Sequence, residues 1–353
     1  MFPREFSQRV AQAARVFIPV ALLAGLAGLA GCSAEAPPPM PAITVDPDRI
    51  AVAGISSGAI MAGQAHFAWS DRLRGAALLA GPPYGCAGGS LETALGPCIE
   101  AKPYLPDPAR LAERVRERAA AGQLAPISGL AGDVVYVLHG RDDTTVAPAL
   151  AASVAGVYQA LSDEAGGLHV EIDTDRAFPH LLPTLDSGVD CTLGGEPWLG
   201  RCGFDAAGTM MAHLFGEPAG GAPAEAAGEL RRFDQAPFAP AGLDPSMAEA
   251  GYLYLPPDCA AGAACGVLVA FHGCQQNADK VGEAFVRHAG FNRWADVHRV
   301  AVLYPQVRSS YLPLNPKACW DWWGYTGEAY DTRDGAQLRW LAAALTALGA
   351  PMP

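Results

Sequence analysis

An α/β fold, a mostly parallel sheet wrapped by helices, is predicted by three features of the sequence. First, the apolar run at residues 49–55 (RIAVAGI) overlaps Gly54-Ile55-Ser56-Ser57-Gly58 and leads into the helix-compatible stretch 59–69 (AIMAGQAHFAW), a strand, tight glycine turn and helix in succession. Second, the strand-like runs 133–138 (DVVYVL) and 168–172 (LHVEI) each open into a polar loop that carries titratable side chains. Third, after a further strand signal at GYLYLPP, the run 266–271 (GVLVAF) ends in His272-Gly273-Cys274-Gln275-Gln276. Strands whose carboxyl ends feed loops bearing reactive groups are how α/β sheets build sites.

The chain starts with a leader-like segment. Arg4, Arg9 and Arg15 precede VFIPVALLAGLAGLAG, so residues 1–31 read as an export signal, too short for a comfortable membrane span. Leu29-Ala30-Gly31-Cys32 resembles the lipobox of bacterial lipoproteins. It implies lipidation at Cys32, and Ser33 is compatible with sorting to an outer membrane; a plain secretory cut near Ala34 or Ala36, giving an extracellular protein, is the alternative. A Pro-rich tether over residues 32–47 (with APPPMPAI) then leads to one catalytic domain over 48–350, with no repeat and no Ser/Thr-rich linker to mark a second module. The net charge is −12, and −14 once the leader with its three Arg and one Glu is removed. That sign argues against nucleic acid and against electrostatic docking on anionic lipid, so membrane attachment is expected only through the N-terminal lipid.

Of nine cysteines, eight remain after Cys32, an even number that in an exported chain points to disulfides. Short loops suggest Cys86 with Cys98, Cys191 with Cys202, and Cys259 with Cys265, which leaves Cys274 and Cys319; the sequence does not determine this connectivity uniquely. No C-x-x-C or H-E-x-x-H spacing occurs, and neither a metal nor a cofactor is implied.

The pentapeptide around Ser56 matches the G-x-S-x-G elbow that exposes a nucleophilic serine between strand and helix. A serine needs a base, and the base an acid to hold its tautomer. In the order that an α/β-hydrolase requires, the loop HGRDDTTVAP supplies Asp142 and Asp143, and DTDRAFPHLLPT supplies His180. The spacing of Gly140, Asp143 and Val146 favours Asp143 as the acid. Among the other histidines, His139 and His272 precede glycines at strand ends, whereas His66, His288 and His298 fall in helical patterns. The His272-Gly273-Cys274 loop has the form of an oxyanion loop, which normally precedes the serine elbow and here follows the histidine. The expected fold is therefore an α/β-hydrolase fold, circularly permuted, in a single domain, with the serine on its first strand.

Taken together, GISSGA, G-x-x-D-T-T-V, HLLPT, the Cys191–Cys202 stretch ending CGFDAAG, FHGCQQN and CWDWWG resemble the secreted, single-domain, circularly permuted poly(3-hydroxybutyrate) depolymerases, over residues 48–348. The resemblance implies Ser56 as nucleophile, Asp143 as acid, His180 as base, and the backbone N–H groups of Ser57 and Cys274 as the oxyanion hole. It also implies a serine esterase acting on a polyester or its oligomers. Trp320, Trp322 and Trp323 are candidates for an apolar substrate wall, with ordinary core packing as the alternative. A feruloyl or acetylxylan esterase shares the elbow and the chemistry, and a binding lipoprotein that uses the fold without catalysis is the rival of another class.

Overall fold

Strand β1 (Val45–Ile55) runs through the middle of the sheet, and its position explains the apolar sequence from Ile50 onward. From Ile50 to Ile55 every residue is buried: Ile50 and Val52 join one core, while Ala51, Ala53 and Ile55 join the other. That is the two-residue alternation of a strand covered on both faces. The computed structural model describes residues 36–353 apart from Ala219 and Ala222. Cys32 and the leader expected over residues 1–31 lie outside the described residues.

The further strands are β2 (Gly75–Leu79), β3 (Val134–Leu138), β4 (His169–Asp173), β5 (Leu182–Thr184), β6 (Val189–Asp190), β7 (Leu199–Arg201), β8 (Glu229–Asp234), β9 (Ala250–Leu255), β10 (Cys265–Phe271) and β11 (Val300–Tyr304). Seven of them join β1 in one sheet in the order β4-β3-β2-β1-β10-β11-β9-β8, parallel from β4 to β11, with β9 antiparallel to both of its neighbours. β5, β7 and β6 form a small second sheet. The four late strands lie on one side of β1 and β2 to β4 on the other. β10, which carries the His272 loop at its end, pairs directly with the serine strand although about two hundred residues follow between them in the chain. That is the permuted α/β-hydrolase order.

Two layers of helix close the sheet. Ser57–Ala68, Pro108–Ala120, Leu150–Gln159 and Ala336–Leu348 cover the face that receives Ile50 and Val52. Ala206–Phe215, Ala284–His288 and Phe291–His298 cover the other, through Met210, Met211, Leu214, Phe285 and Phe291. The chain is already held to this body ahead of residue 48: Pro38 O accepts Asp234 N–H at 2.7 Å and Ile43 N–H donates to Leu348 O at 2.8 Å. Among the described residues four disulfides are present: Cys86–Cys98, Cys191–Cys202 and Cys259–Cys265, the pairs that short loops suggest, and Cys274–Cys319, the two cysteines left over.

The parallel strands end level with one another. Ile55 lies beside Leu79, Leu79 beside Leu138, and Leu138 beside Asp173, while Gly54 lies beside Phe271. The loops that carry Ser56, Asp143, His180 and Cys274 therefore leave one edge of the sheet together, where open α/β sheets gather their ligands.

Candidate active site

Ser56 is the first residue after β1, and the helix Ser57–Ala68 starts directly behind it. Its φ of 58° lies in the left-handed region, a conformation that costs a non-glycine residue about 1–3 kcal/mol. Close packing explains both flanking glycines. A Cβ on Gly54 would sit 2.2 Å from Gly58 O, and one on Gly58 would sit 2.3 Å from Phe271 O. The Ser56 side chain is partly exposed, whereas Ser57 is buried and its Oγ accepts the Trp320 N–H at 3.3 Å.

Asp143 lies in the loop after β3 and His180 in the loop after β4. Asp143 Oδ2 accepts from His180 Nδ1 at 2.7 Å and from His139 Nε2 at 3.2 Å, and Oδ1 accepts the N–H groups of Thr145 at 2.8 Å and Val146 at 2.9 Å. Burial alone would raise this carboxyl. The hydrogen bonds from His139, His180 and the Val146 N–H outweigh it and hold Asp143 well below the usual carboxylate range. His139 Nε2 also lies 3.1 Å from Val146 O; a carbonyl can only accept, so this nitrogen carries the proton. Asp142, by contrast, is exposed. With its Nδ1 proton on the carboxylate, His180 keeps Nε2 as the basic nitrogen. Ser56 and His180 line one cavity, and their side chains make no direct hydrogen bond to each other.

The loop after β10 is organised by His272, which is fully buried. Its Nε2 accepts the Val307 N–H at 3.3 Å and its Nδ1 donates to Gly273 O at 2.7 Å. Burial lowers its pKa to about 4, against a smaller opposing pull from the Gly273 carbonyl, so the ring is neutral near neutral pH. Among the described residues the backbone N–H groups of Ser57 and Cys274 donate to no protein acceptor. The first also opens a helix N-terminus, which favours negative charge.

Ser56, His180 and Cys274 share a cavity of about 560 Å³ whose walls are mainly apolar: Ile55, Leu91, Leu95, Ile99, Val146, Leu314, Trp198, Trp322 and Trp323. The Cys274–Cys319 bridge fastens the tryptophan segment to the His272 loop. Trp322 and Trp323 meet edge to face with ring centroids 5.6 Å apart. The expectation for Trp320 is corrected: it is fully buried and packs on Phe271 and His272, with centroids 4.9 and 5.5 Å away, so it is core beneath the site. Asp321 holds the segment in shape, its carboxylate accepting the N–H groups of Trp323, Gly324, Tyr325 and Thr326. Trp198 is a wall that sequence reasoning missed. It stands edge-on to His180 at 6.5 Å, and the only sequence signal for it was its place within the Cys191–Cys202 loop.

Residues 250–347 match the family model described as Esterase PHB depolymerase. A poly(3-hydroxybutyrate) depolymerase of Delftia acidovorans is 33% identical over 308 residues, covering 86% of this chain and 60% of that relative's own length. A polyhydroxybutyrate depolymerase of Talaromyces funiculosus is 30% identical over 328 residues, covering 87% of this chain and 91% of the relative. This chain belongs to the PHB depolymerase family. Among solved structures, PHB depolymerase from Penicillium funiculosum superposes with a TM-score of 0.78 at 28% identity, over 89% of this chain and 100% of that one. A PHB depolymerase with a serine-to-alanine substitution, complexed with an R3HB trimer, gives 0.79 at 27% identity over the same shares. The PHB depolymerase model takes in β9 to β11, the His272 loop and the tryptophan segment, whereas Ser56, Asp143 and His180 come from outside its bounds.

Proposed function

We propose that this protein is an exported serine esterase that hydrolyses poly(3-hydroxybutyrate) or its oligomers through an acyl-enzyme. One observation carries the reading: the Asp143–His180 hydrogen bond and the strained Ser56 elbow open onto the same apolar cavity. Ser56 Oγ attacks the ester carbonyl carbon while His180 Nε2 takes its proton, and Asp143 stabilises the imidazolium that forms. The tetrahedral oxyanion is held by the N–H groups of Ser57 and Cys274. His180 then gives the proton to the leaving hydroxyl end. Water attacks the acyl-Ser56 ester in the same way and releases the acid.

The walls suit an aliphatic polyester, which offers methyl groups and ester carbonyls but no charge along its length. Leu91, Leu95 and Leu314 are exposed at the cavity's edge, where a water-insoluble chain can lie against them. Family membership and the R3HB trimer bound by a structural neighbour support the same substrate class. The four disulfides support export, since such bonds persist in oxidising compartments. The LAGC motif supports lipid attachment at Cys32 after removal of residues 1–31, and hence a cell-envelope lipoprotein.

Turnover measured side by side on R3HB oligomers, amorphous polymer and a feruloyl ester tests the substrate. The hydroxybutyrate esters should be hydrolysed with much the higher kcat/KM. A preference for the feruloyl ester would move the protein to the carbohydrate esterases.

A further inference from the structure

Gln276 has no part in the steps above, yet three buried polar contacts converge on it. Its side chain is 1% exposed. Oε1 accepts the Gly273 N–H at 2.8 Å, and Nε2 donates to the carbonyls of Trp198 at 3.1 Å and Pro197 at 3.3 Å. An N–H only donates and a carbonyl only accepts, so the amide fits one way round. Its two ends grip different walls of the cavity. Gly273 directly precedes Cys274, and Trp198 stands beside His180.

The Gly273 carbonyl is itself held by His272 Nδ1, so both polar backbone atoms of Gly273 are bound by buried side chains. In a planar trans peptide the N–H of the next residue points opposite to the carbonyl. Pinning Gly273 therefore sets the direction of the Cys274 N–H. The grip on the second wall is partly duplicated, because Trp198 O also accepts the Leu182 N–H at 2.9 Å. Among the described residues the Gly273 N–H has Gln276 alone. Loss of the amide should loosen the oxyanion donor more than the tryptophan wall.

We propose that Gln276 is a positioning residue that fixes the Cys274 N–H and the Trp198 wall in one register against Ser56 and His180. It acts through the backbones of Gly273 and Trp198, and the assignment rests on the serine-esterase reading. The register matters because a reacting or stabilising group displaced by about 1 Å costs up to about 10² in rate.

The test compares the full-length native protein with Gln276→Met and Gln276→Glu. A small activated ester and an R3HB trimer serve as substrates, and active sites are counted by fluorophosphonate titration. Gln276→Met should lower kcat per titrated site about tenfold or more on both substrates, with KM for the small ester little changed. In Gln276→Glu one carboxyl oxygen still receives the Gly273 N–H, but the other meets two carbonyls and can bond them only when protonated. Its rate relative to native should therefore rise as the pH falls. Each rate is expressed as a ratio to the native rate at the same pH. Native kcat per titrated site in Gln276→Met, or a Gln276→Glu ratio that stays flat or falls toward acid, would overturn the proposal. Should Gln276→Met fail to fold, the pH ratio of Gln276→Glu decides alone. A native protein that neither labels nor cleaves the small ester would instead overturn the esterase reading itself.

Discussion

Replacing Asp143 by asparagine alters one group and reverses the proton order of the histidine beside it. Oδ1 receives two backbone N–H groups, from Thr145 and Val146, so the amide oxygen belongs there. The new NH2 then falls at the Oδ2 position, 2.7 Å from His180 Nδ1 and 3.2 Å from His139 Nε2. To accept from it, His180 must move its proton to Nε2, which can then no longer take the Ser56 proton. The same NH2 also meets the Nε2–H of His139, held in place by Val146 O, donor against donor. The equivalent change in serine proteases lowers kcat by about 10⁴, or about 5 kcal/mol of transition-state stabilisation. Stability falls as well. The native carboxylate, whose pKa is depressed by folding, stabilises the fold above the ordinary aspartate pKa of about 3.9 and loses that contribution only as the pH drops through its lower folded value. The assay is kcat on a small activated ester per fluorophosphonate-titrated site, with thermal melting in parallel. An Asp143→Asn protein that keeps more than roughly a tenth of native kcat would refute the tautomer reasoning.

Other expectations follow from neighbouring contacts. Ser56→Ala should abolish ester hydrolysis, whereas Ser57→Ala keeps its N–H and should stay active but melt lower, since the buried Trp320 N–H loses its acceptor at a cost of about 1–3 kcal/mol; the reverse pattern would exchange the two serines. Cys319→Ser opens a closure spanning 45 residues, worth about 4 kcal/mol in the chain-entropy view, and should slow polymer hydrolysis about tenfold by freeing the Cys274 loop; a stable variant with native polymer turnover would contradict this. Denaturation across a pH series should show native stability declining as pH falls from about 6.5 to about 4, because unfolded chains protonate His272 before the folded one does. That term amounts to about 3 kcal/mol, and His272→Asn should flatten this part of the curve; parallel curves would count against it. Detergent partitioning should distinguish native protein from Cys32→Ala, and identical behaviour would remove the lipid anchor.

The parts of the site legible in the sequence were those set by local geometry. Gly54 and Gly58 are dictated by a turn packed against β10, and their spacing survives as a motif. The Ser56, Asp143 and His272 loops each follow a buried strand, and strands covered on both faces leave apolar runs, whereas the His180 loop follows β4, an exposed edge strand. β2 (GAALL) was harder to see because alanine and leucine suit helix as well as strand. β8 (ELRRFD) is a partly exposed edge strand whose charges hide its period. Trp320 was grouped with its neighbours because adjacency in sequence does not reveal which ring turns toward Phe271 and which toward the cavity. Trp198 and Gln276 lie 78 residues apart and acquire their roles only through the contact between them.

The central claim is that Ser56 is a nucleophile activated by His180 and Asp143. Treating the native protein with a fluorophosphonate and mapping the adduct by peptide mass spectrometry tests it most directly. The account requires stoichiometric modification of the peptide that contains Ser56, abolished in Ser56→Ala, retained in Ser57→Ala and strongly slowed in Asp143→Asn. A folded native protein that stays unlabelled, or one modified at another residue, would contradict it.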